Sequence, residues 1–389
     1  MREGSCVKTI ATYQCFGFLI RSAARSGQKA REFVEKGAGF TSRRSTQGRH
    51  LLTIGTDAEG LLIISGMAIS NLFVIGAGFT KAVFPSAPLN DDLLSQVVGP
   101  QPDDSPLGQV WSEYELSNIE TLLTRFDLDL LTGKSRFGED HRNAVNKQLA
   151  DFVAHFRFKQ DIQWLQPLTR IISDNDVIIS LNYDCFLEGF LDFHEAWSPK
   201  GGYHIIENPL CDGSLPGNQR NIRILKIHGS ESFRRSAFLD KPESQTIGLR
   251  INEALFPRSG KNIDFGCKPD AGAYVIAPSF TKQFNLELEY LLLDATRFAR
   301  AARNLVIIGC GLRREDSYLW LVLISFMHNR RWKQKRTVIV GPHASETTTR
   351  IENFWGRKIF DQQNLVAIDL GLECGISKLG EALRKGVDR

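Results

Sequence analysis

Four short segments of this 389-residue chain combine chemically capable residues with a local setting that would present them to a ligand. Gly76-Ala77-Gly78 follows the apolar run Asn71-Leu72-Phe73-Val74-Ile75 and leads to Thr80. Glycine permits a tight turn and lets backbone N–H groups approach phosphate oxygens with no Cβ in the way, and a helix starting there adds its positive end. The third glycine of the dinucleotide fingerprint is missing, so a purely structural turn is the competing reading. Ile178-Ile179-Ser180-Leu181-Asn182-Tyr183-Asp184 is an apolar strand ending in an amide and a carboxylate. Strand ends line the ligand crevice of open α/β sheets, where an amide holds a hydroxyl or a water in fixed orientation. Alternatively, Asn182 and Asp184 cap a helix beginning at Cys185. Ile222-Arg223-Ile224-Leu225-Lys226-Ile227-His228-Gly229 ends on an imidazole, the usual base near neutrality, with Gly229 leaving room beside it; a satisfied structural histidine is the alternative. Val306-Ile307-Ile308-Gly309-Cys310-Gly311-Leu312, followed by Glu315 and Asp316, is a second strand and glycine turn. It suits close contact with a ribose or adenine, or is an ordinary turn capped by Asp316.

These segments need a scaffold that brings several strand ends together. From Asn71 onward, short β-branched apolar runs alternate with longer helical stretches, the pattern of a mostly parallel sheet covered by helices. Strands are expected over 72–75, 176–181, 222–227, 273–276, 304–308, 337–340 and 365–368. Apolar residues at three- and four-residue spacing predict helices over 114–131 and 144–158, a helical insertion at about 110–160, with further helices over 285–303 and 315–328. The stretches 192–220 and 234–267, richer in Gly, Pro, Asn and charge, read as long connections or lids, and 100–106 as an exposed loop. The expected fold is α/β: a doubly wound, mostly parallel, Rossmann-like sheet with a helical insertion.

Composition narrows the function classes. Residues 1–66 hold ten Lys or Arg against five Asp or Glu, an excess of five, so with a formal net charge of +4 the remainder carries −1. A near-neutral body gives no electrostatic case for direct nucleic-acid binding. Seven scattered cysteines without a C-x-x-C pair predict reduced thiols in a cytoplasmic protein and no metal site. The uncharged 21-residue stretch 60–80 is long enough to span a bilayer, but Ser65, Gly66, Ser70, Asn71, Gly76 and Gly78 interrupt it, and it reads instead as a buried strand entering a turn, with no membrane contact. Gly37-Ala38-Gly39-Phe40-Thr41 repeats the later glycine turn, but after a charged segment. Residues 1–66 are Arg-rich, Ser-rich and poor in acids, which allows a transit peptide; the preferred reading is a dispensable extension or a misassigned start before Met67, with 67–389 as the catalytic domain.

The four segments, in this order, resemble the sirtuin-like superfamily. Its members show a Gly-Ala-Gly turn after the first strand, an Asn-x-Asp at a strand end, a strand-borne His-Gly and a late glycine turn. The resemblance covers about 67–325 and includes Phe84-Pro85-Ser86-Ala87-Pro88-Leu89, similar to the family's proline-bearing loop. Absence of a zinc ribbon, and Pro88-Leu89-Asn90-Asp91-Asp92 in place of the deacylase Gly-Ile-Pro loop, resemble the bacterial NAD-hydrolysing anti-phage branch more than the deacylases. The resemblance implies NAD as substrate. It implies that Gly76, Ala77, Gly78 and Thr80 contact the diphosphate, and that Asn182 and Asp184 position the nicotinamide ribose or a water. His228 would meet the ribose hydroxyls or act as base, with Gly309, Gly311 and Asp316 on the adenosine side. It also implies a homo-oligomer or a separate activator protein. A protein deacylase or ADP-ribosyltransferase, a non-catalytic NAD or ADP-ribose sensing module, and a structural partner subunit are the other readings.

Overall fold

The computed structural model describes residues 54–56, 62–64, 69–203, 220, 222–235, 247–267, 272–279, 286–313, 316–327, 335–355 and 364–384. The Gly37–Thr41 repeat, the proposed start at Met67 and Glu315 lie outside them. The chain divides into two units, Met1–Gly66 and Met67–Arg389. In the first, β1 (Ile54–Thr56) pairs antiparallel with β2 (Leu62–Ile64).

The second unit is built on six parallel strands: β3 (Asn71–Ile75), β4 (Val177–Ser180), β5 (Arg223–Lys226), β10 (Asn304–Ile308), β11 (Arg336–Gly341) and β12 (Leu365–Asp369). They lie side by side in the order β12-β11-β10-β3-β4-β5. Continuous apolar runs such as Leu72-Phe73-Val74 and Val306-Ile307-Ile308, all fully buried, are what a parallel sheet covered on both faces requires. The first of these strands, β3, lies between β4 and β10, so the winding reverses between β3 and β10. At such a switch point the connections leave in opposite directions and a crevice opens beyond the strand ends. The α/β, doubly wound reading is therefore correct.

Among the described residues six strands, not seven, make this core. The expected strand over 273–276 is β9 (Ala273–Val275), and it belongs to a second, antiparallel sheet. The other members are β6 (Gly229–Arg235), β7 (Ile247–Ile251) and β8 (Ile263–Phe265), and the order is β8-β7-β6-β9. The stretch 234–267 is thus not a plain connection. Arg250 and Asp264 form a partly exposed ion pair at 2.7 Å, while Ile247, Leu249 and Ile251 alternate inward. That period of two lies within a polar composition that reads as a connection.

Between β3 and β4 run α1 (Ala77–Val83), α2 (Asn90–Val98), α3 (Pro106–Tyr114), α4 (Ile119–Leu131), α5 (Glu139–Val153) and α6 (Gln166–Ile171). The helix expected over 114–131 is two pieces. Glu115 adopts a left-handed φ of 52° that ends α3, and Asn118 starts α4 by accepting the Thr121 N–H at 3.0 Å. The helix expected over 144–158 begins earlier and stops at Val153, leaving Phe156 buried beyond its end. After β4 comes α7 (Phe186–Phe193), and α8 (Leu286–Ala301), α9 (Ser317–Met327), α10 (Ala344–Trp355) and α11 (Leu372–Arg384) complete the cover. Among the described residues, no helix is long and apolar enough to cross a membrane.

Candidate functional site

The switch point fixes the position of both glycine turns. Gly76 ends β3 and Gly309 ends the adjacent β10, and the two turns interlock: the Gly76 N–H donates to the Ile308 carbonyl at 3.0 Å and the Gly78 N–H to the Gly309 carbonyl at 2.8 Å. A Cβ on Gly76 would lie 2.7 Å from Cys310 Cβ and from the Gly309 oxygen. Glycine is needed here for turn-against-turn packing, and the Gly76 and Gly78 N–H groups are committed to it. Gly309 carries the strictest demand, with φ of +59° and the Phe79 backbone nitrogen where its Cβ would go. Gly309→Ala is accordingly expected to destabilise the protein by on the order of 3 kcal/mol. Urea denaturation checks this; an unchanged midpoint would count against the packing described.

Asn182 and Asp184 come after β4 and reach back to the same turn. Asn182 Nδ2 donates to the Gly76 carbonyl at 3.1 Å and to Thr80 Oγ1 at 2.9 Å, and the Thr80 hydroxyl donates to Asp184 Oδ2 at 2.9 Å. This relay has one sense: a carboxylate accepts, so the hydroxyl gives its proton to Asp184 and accepts from the amide. It locks the Asn182 rotamer and leaves Oδ1 buried, with no hydrogen-bond partner among the described residues. Buried polar atoms are nearly always satisfied, so one left open in a cavity wall marks a ligand or water position. The capping alternative therefore separates the two residues. Asp184 Oδ1 does accept from the Phe186 N–H at 3.1 Å at the start of α7, whereas Asn182 caps nothing.

Beneath them lies a buried charged group. Lys226, the last residue of β5, is fully buried; its Nζ is 2.9 Å from Glu188 Oε1 and donates to the Asp184 carbonyl at 2.6 Å. Burial pushes the Asp184 carboxyl up to about 6 despite the Lys226 charge, with Glu188 adding to the rise. Relative to an unfolded value of ~3.9, the native state binds the extra proton in between, so this group costs stability increasingly as pH rises from about 4 to about 6. The melting temperature of Asp184→Asn relative to the unsubstituted protein should therefore climb across that window and level off above it. Melts from pH 4 to 8 check the slope, and a flat difference would contradict it.

His228 stands at the joint where β5 of the parallel sheet ends and β6 of the antiparallel sheet begins. Gly229 makes the joint, with φ of +80° and the Tyr274 carbonyl of β9 occupying any Cβ position. Its role is to turn the chain beneath β9, in place of the ligand space that the sequence suggests. The backbone bond from Ile276 N–H to the His228 carbonyl, 2.8 Å, holds the residue in place. His228 Nδ1 lies 3.3 Å from the Leu181 carbonyl, and because a carbonyl only accepts, the proton is on Nδ1. Nε2 lies 3.6 Å from Asp316 Oδ1. Asp316 also receives the Leu319 N–H at 3.3 Å, so it does cap α9.

All ten residues singled out by sequence line one cavity of about 430 Å³: Gly76, Ala77, Gly78, Thr80, Asn182, Asp184, His228, Gly309, Gly311 and Asp316. The helical segments supply a wall that the motifs did not announce. Glu120 on α4 accepts from Asn90 Nδ2 at 2.5 Å and lies 3.5 Å from Arg313 Nη1, while Arg313 Nη2 is 3.0 Å from Asp91 Oδ2. These acids sit in the first turns of α2 and α4, where Asp and Glu are common for dipole reasons alone, so they carried no distinguishing signal. Beyond Gly311, the start of α10 adds His343, Glu346 and Arg350; Arg350 Nη1 bonds the Gly311 carbonyl, and His343 Nδ1 is 3.0 Å from Glu346 Oε1. Among the described residues, no cluster of His, Cys, Asp and Glu is arranged to hold a metal ion.

No protein-family model matches the sequence, and no curated protein matches it. Among solved structures the chain is similar to a mutant of a Sir2 homologue complexed with ADP-ribose, at 14% identity over 83% of this chain and 95% of that one, with a TM-score of 0.38. It is also similar to a Sir2 homologue complexed with NAD, at 11% identity over 82% of this chain and 90% of that one, with a TM-score of 0.37.

Proposed function

We propose that this chain is an NAD glycohydrolase: water replaces nicotinamide at C1′ of the nicotinamide ribose, giving nicotinamide, ADP-ribose and a proton. The observation that carries this reading is that Asn182 Oδ1, locked and unpaired, and the His228 imidazole line the same crevice beside two glycine turns. The diphosphate lies along Gly76-Ala77-Gly78, where absent side chains and the start of α1 admit it. Thr80 serves mainly to orient Asn182, and Asp184 anchors Thr80. Gly309 and Gly311 face the adenosine side, with Glu346 as the carboxylate for that ribose.

The glycosidic C–N bond loosens towards an oxocarbenium-like state, so the residues act chiefly by holding the ribose, excluding bulk solvent and aiming one water. Asn182 Oδ1 accepts from that water or from a ribose hydroxyl, and His228 Nε2 takes up the proton. Met67–Arg389 is the catalytic unit, with residues 1–66 dispensable. The resemblance of the sequence to the bacterial NAD-hydrolysing branch supports a role in NAD-depleting defence against phage, with the helical segment at about 110–160 as the surface for a second copy or an activator. The test is nicotinamide release from NAD by the purified chain over a range of protein concentrations. Release only on adding an acylated peptide or protein acceptor would favour a deacylase or transferase, and binding without consumption would favour a sensing module.

A further inference from the structure

We infer that Arg313 is the cation that meets the substrate's diphosphate, and that Asp91 is the internal carboxylate the diphosphate displaces from it. This rests on the NAD reading of the cavity and deepens it where the glycine turns leave an anion unmatched.

The turn after β3 gives a diphosphate room but little charge. The Gly76 and Gly78 N–H groups donate to the turn after β10, the Phe79 N–H donates to the Gly76 carbonyl at 2.9 Å, and α1 is only seven residues long. Two negative phosphates desolvated there need a cation. Among the described residues lining the cavity, the Lys and Arg side chains are those of Arg313 and Arg350. Arg350 is tied to the Gly311 carbonyl, with Nη2 3.9 Å from Glu346 Oε2. Arg313 is fixed by its backbone: its carbonyl accepts from the Trp320 indole N–H at 2.8 Å and from the Asp316 N–H at 3.2 Å, and Leu312 before it is buried. Its charge reaches the turn that packs against Gly76. Burial pushes the Cys310 thiol up to about 12, with the Arg313 and Arg350 charges opposing the rise. The Arg313 guanidinium is spread over two carboxylates of the helical segment, Nη2 3.0 Å from Asp91 Oδ2 and Nη1 3.5 Å from Glu120 Oε2. The Asp91 side chain is 73% exposed, and an ion pair so open to water contributes little. A diphosphate offers the same planar fork a doubly charged partner inside the cavity, where water screens less. Exchanging Asp91 for phosphate moves the arginine side chain and leaves its anchored backbone in place.

The test measures Kd by calorimetry for ADP-ribose, and for adenosine, which has no phosphate, as its competitor. The proteins are the unsubstituted chain, Arg313→Gln, Arg313→Lys and Asp91→Asn, each with its melting temperature. Arg313→Gln is expected to weaken ADP-ribose by at least about tenfold and adenosine by less than about twofold, with Arg313→Lys in between because it keeps the charge without the fork. Asp91→Asn acts in the opposite direction, tightening ADP-ribose by about two- to fivefold because the internal competitor is gone. An ADP-ribose Kd unchanged in Arg313→Gln, equal losses on both ligands, or an Asp91→Asn variant that fails to tighten would overturn the assignment. If Arg313→Gln melts well below the parent, the Asp91→Asn result decides alone. Nicotinamide release separates this assignment from the glycohydrolase reading. The expected Kd pattern without release keeps Arg313 on the diphosphate and removes the glycohydrolase, whereas release with the KM for NAD unchanged in Arg313→Gln keeps the glycohydrolase and removes the assignment. Absence of ADP-ribose binding by the unsubstituted protein would overturn both.

Discussion

Asn182→Ala is expected to lower kcat for nicotinamide release by roughly 10²–10³-fold, the range seen when one preorganised polar group aimed at a reacting centre is removed. The structure explains why so small a change should cost so much. Two donors from Nδ2 lock the amide onto the Gly76 carbonyl and the Thr80 hydroxyl, and the desolvated Oδ1 is available without reorganisation when substrate arrives. Alanine removes that acceptor and frees Thr80 and Gly76, but it takes away no apolar packing from the sheet. The fold should survive with a melting temperature within a few degrees of the parent, since losing two neutral hydrogen bonds costs about 1–3 kcal/mol. Measured kcat, KM and melting temperature decide the matter together. A variant that melts normally and still releases nicotinamide at the parental rate would remove Asn182 from the mechanism. Thr80→Val provides a graded companion: it keeps the residue volume but breaks the relay between Asn182 and Asp184, and its effect should fall between the two.

Much of this site was legible because its residues come in strand-end motifs. A buried run such as Phe73-Val74-Ile75 or Val306-Ile307-Ile308 declares a parallel strand, and the residues just after such a run fall at the carboxyl edge of the sheet, where the crevice must be. Sequence spacing said nothing of which strands are neighbours, yet β3 beside β10 is what makes Gly76 and Gly78 pack against Gly309. The glycines were recognisable as a turn, but their cause was misplaced: the Gly76 and Gly78 N–H groups serve the neighbouring turn, and Gly229 serves β9. The second sheet was hidden for a different reason. Its strands are three to seven residues long and carry Arg250 and Asp264 next to their buried positions, so polar content concealed the alternation of Ile247, Leu249 and Ile251. Glu120 and Arg313 were out of reach altogether, because their meeting depends on how α4 folds over the end of β10, a tertiary relation 193 residues apart in sequence.

His228→Ala should remove the group that takes up the proton as water attacks, lowering kcat by roughly 10²–10⁴-fold, the usual contribution of a positioned general base. The argument is geometric. The Leu181 carbonyl fixes the tautomer, Gly229 fixes where the chain turns, and the Ile276 N–H fixes the backbone of the residue itself, so Nε2 occupies one place in the cavity. The Gly229 turn and the Ile276 bond do not depend on the imidazole, and the variant should therefore retain both sheets. A loss confined to kcat, with the Kd for ADP-ribose within a few-fold of the parent, is expected if His228 acts mainly on the reacting water. A comparable loss in ADP-ribose affinity would instead assign the imidazole to holding the ribose. In that case deprotonation of the water would fall to another group or to solvent. Unchanged turnover would leave the joint between the two sheets as a structural feature and exclude His228 from catalysis.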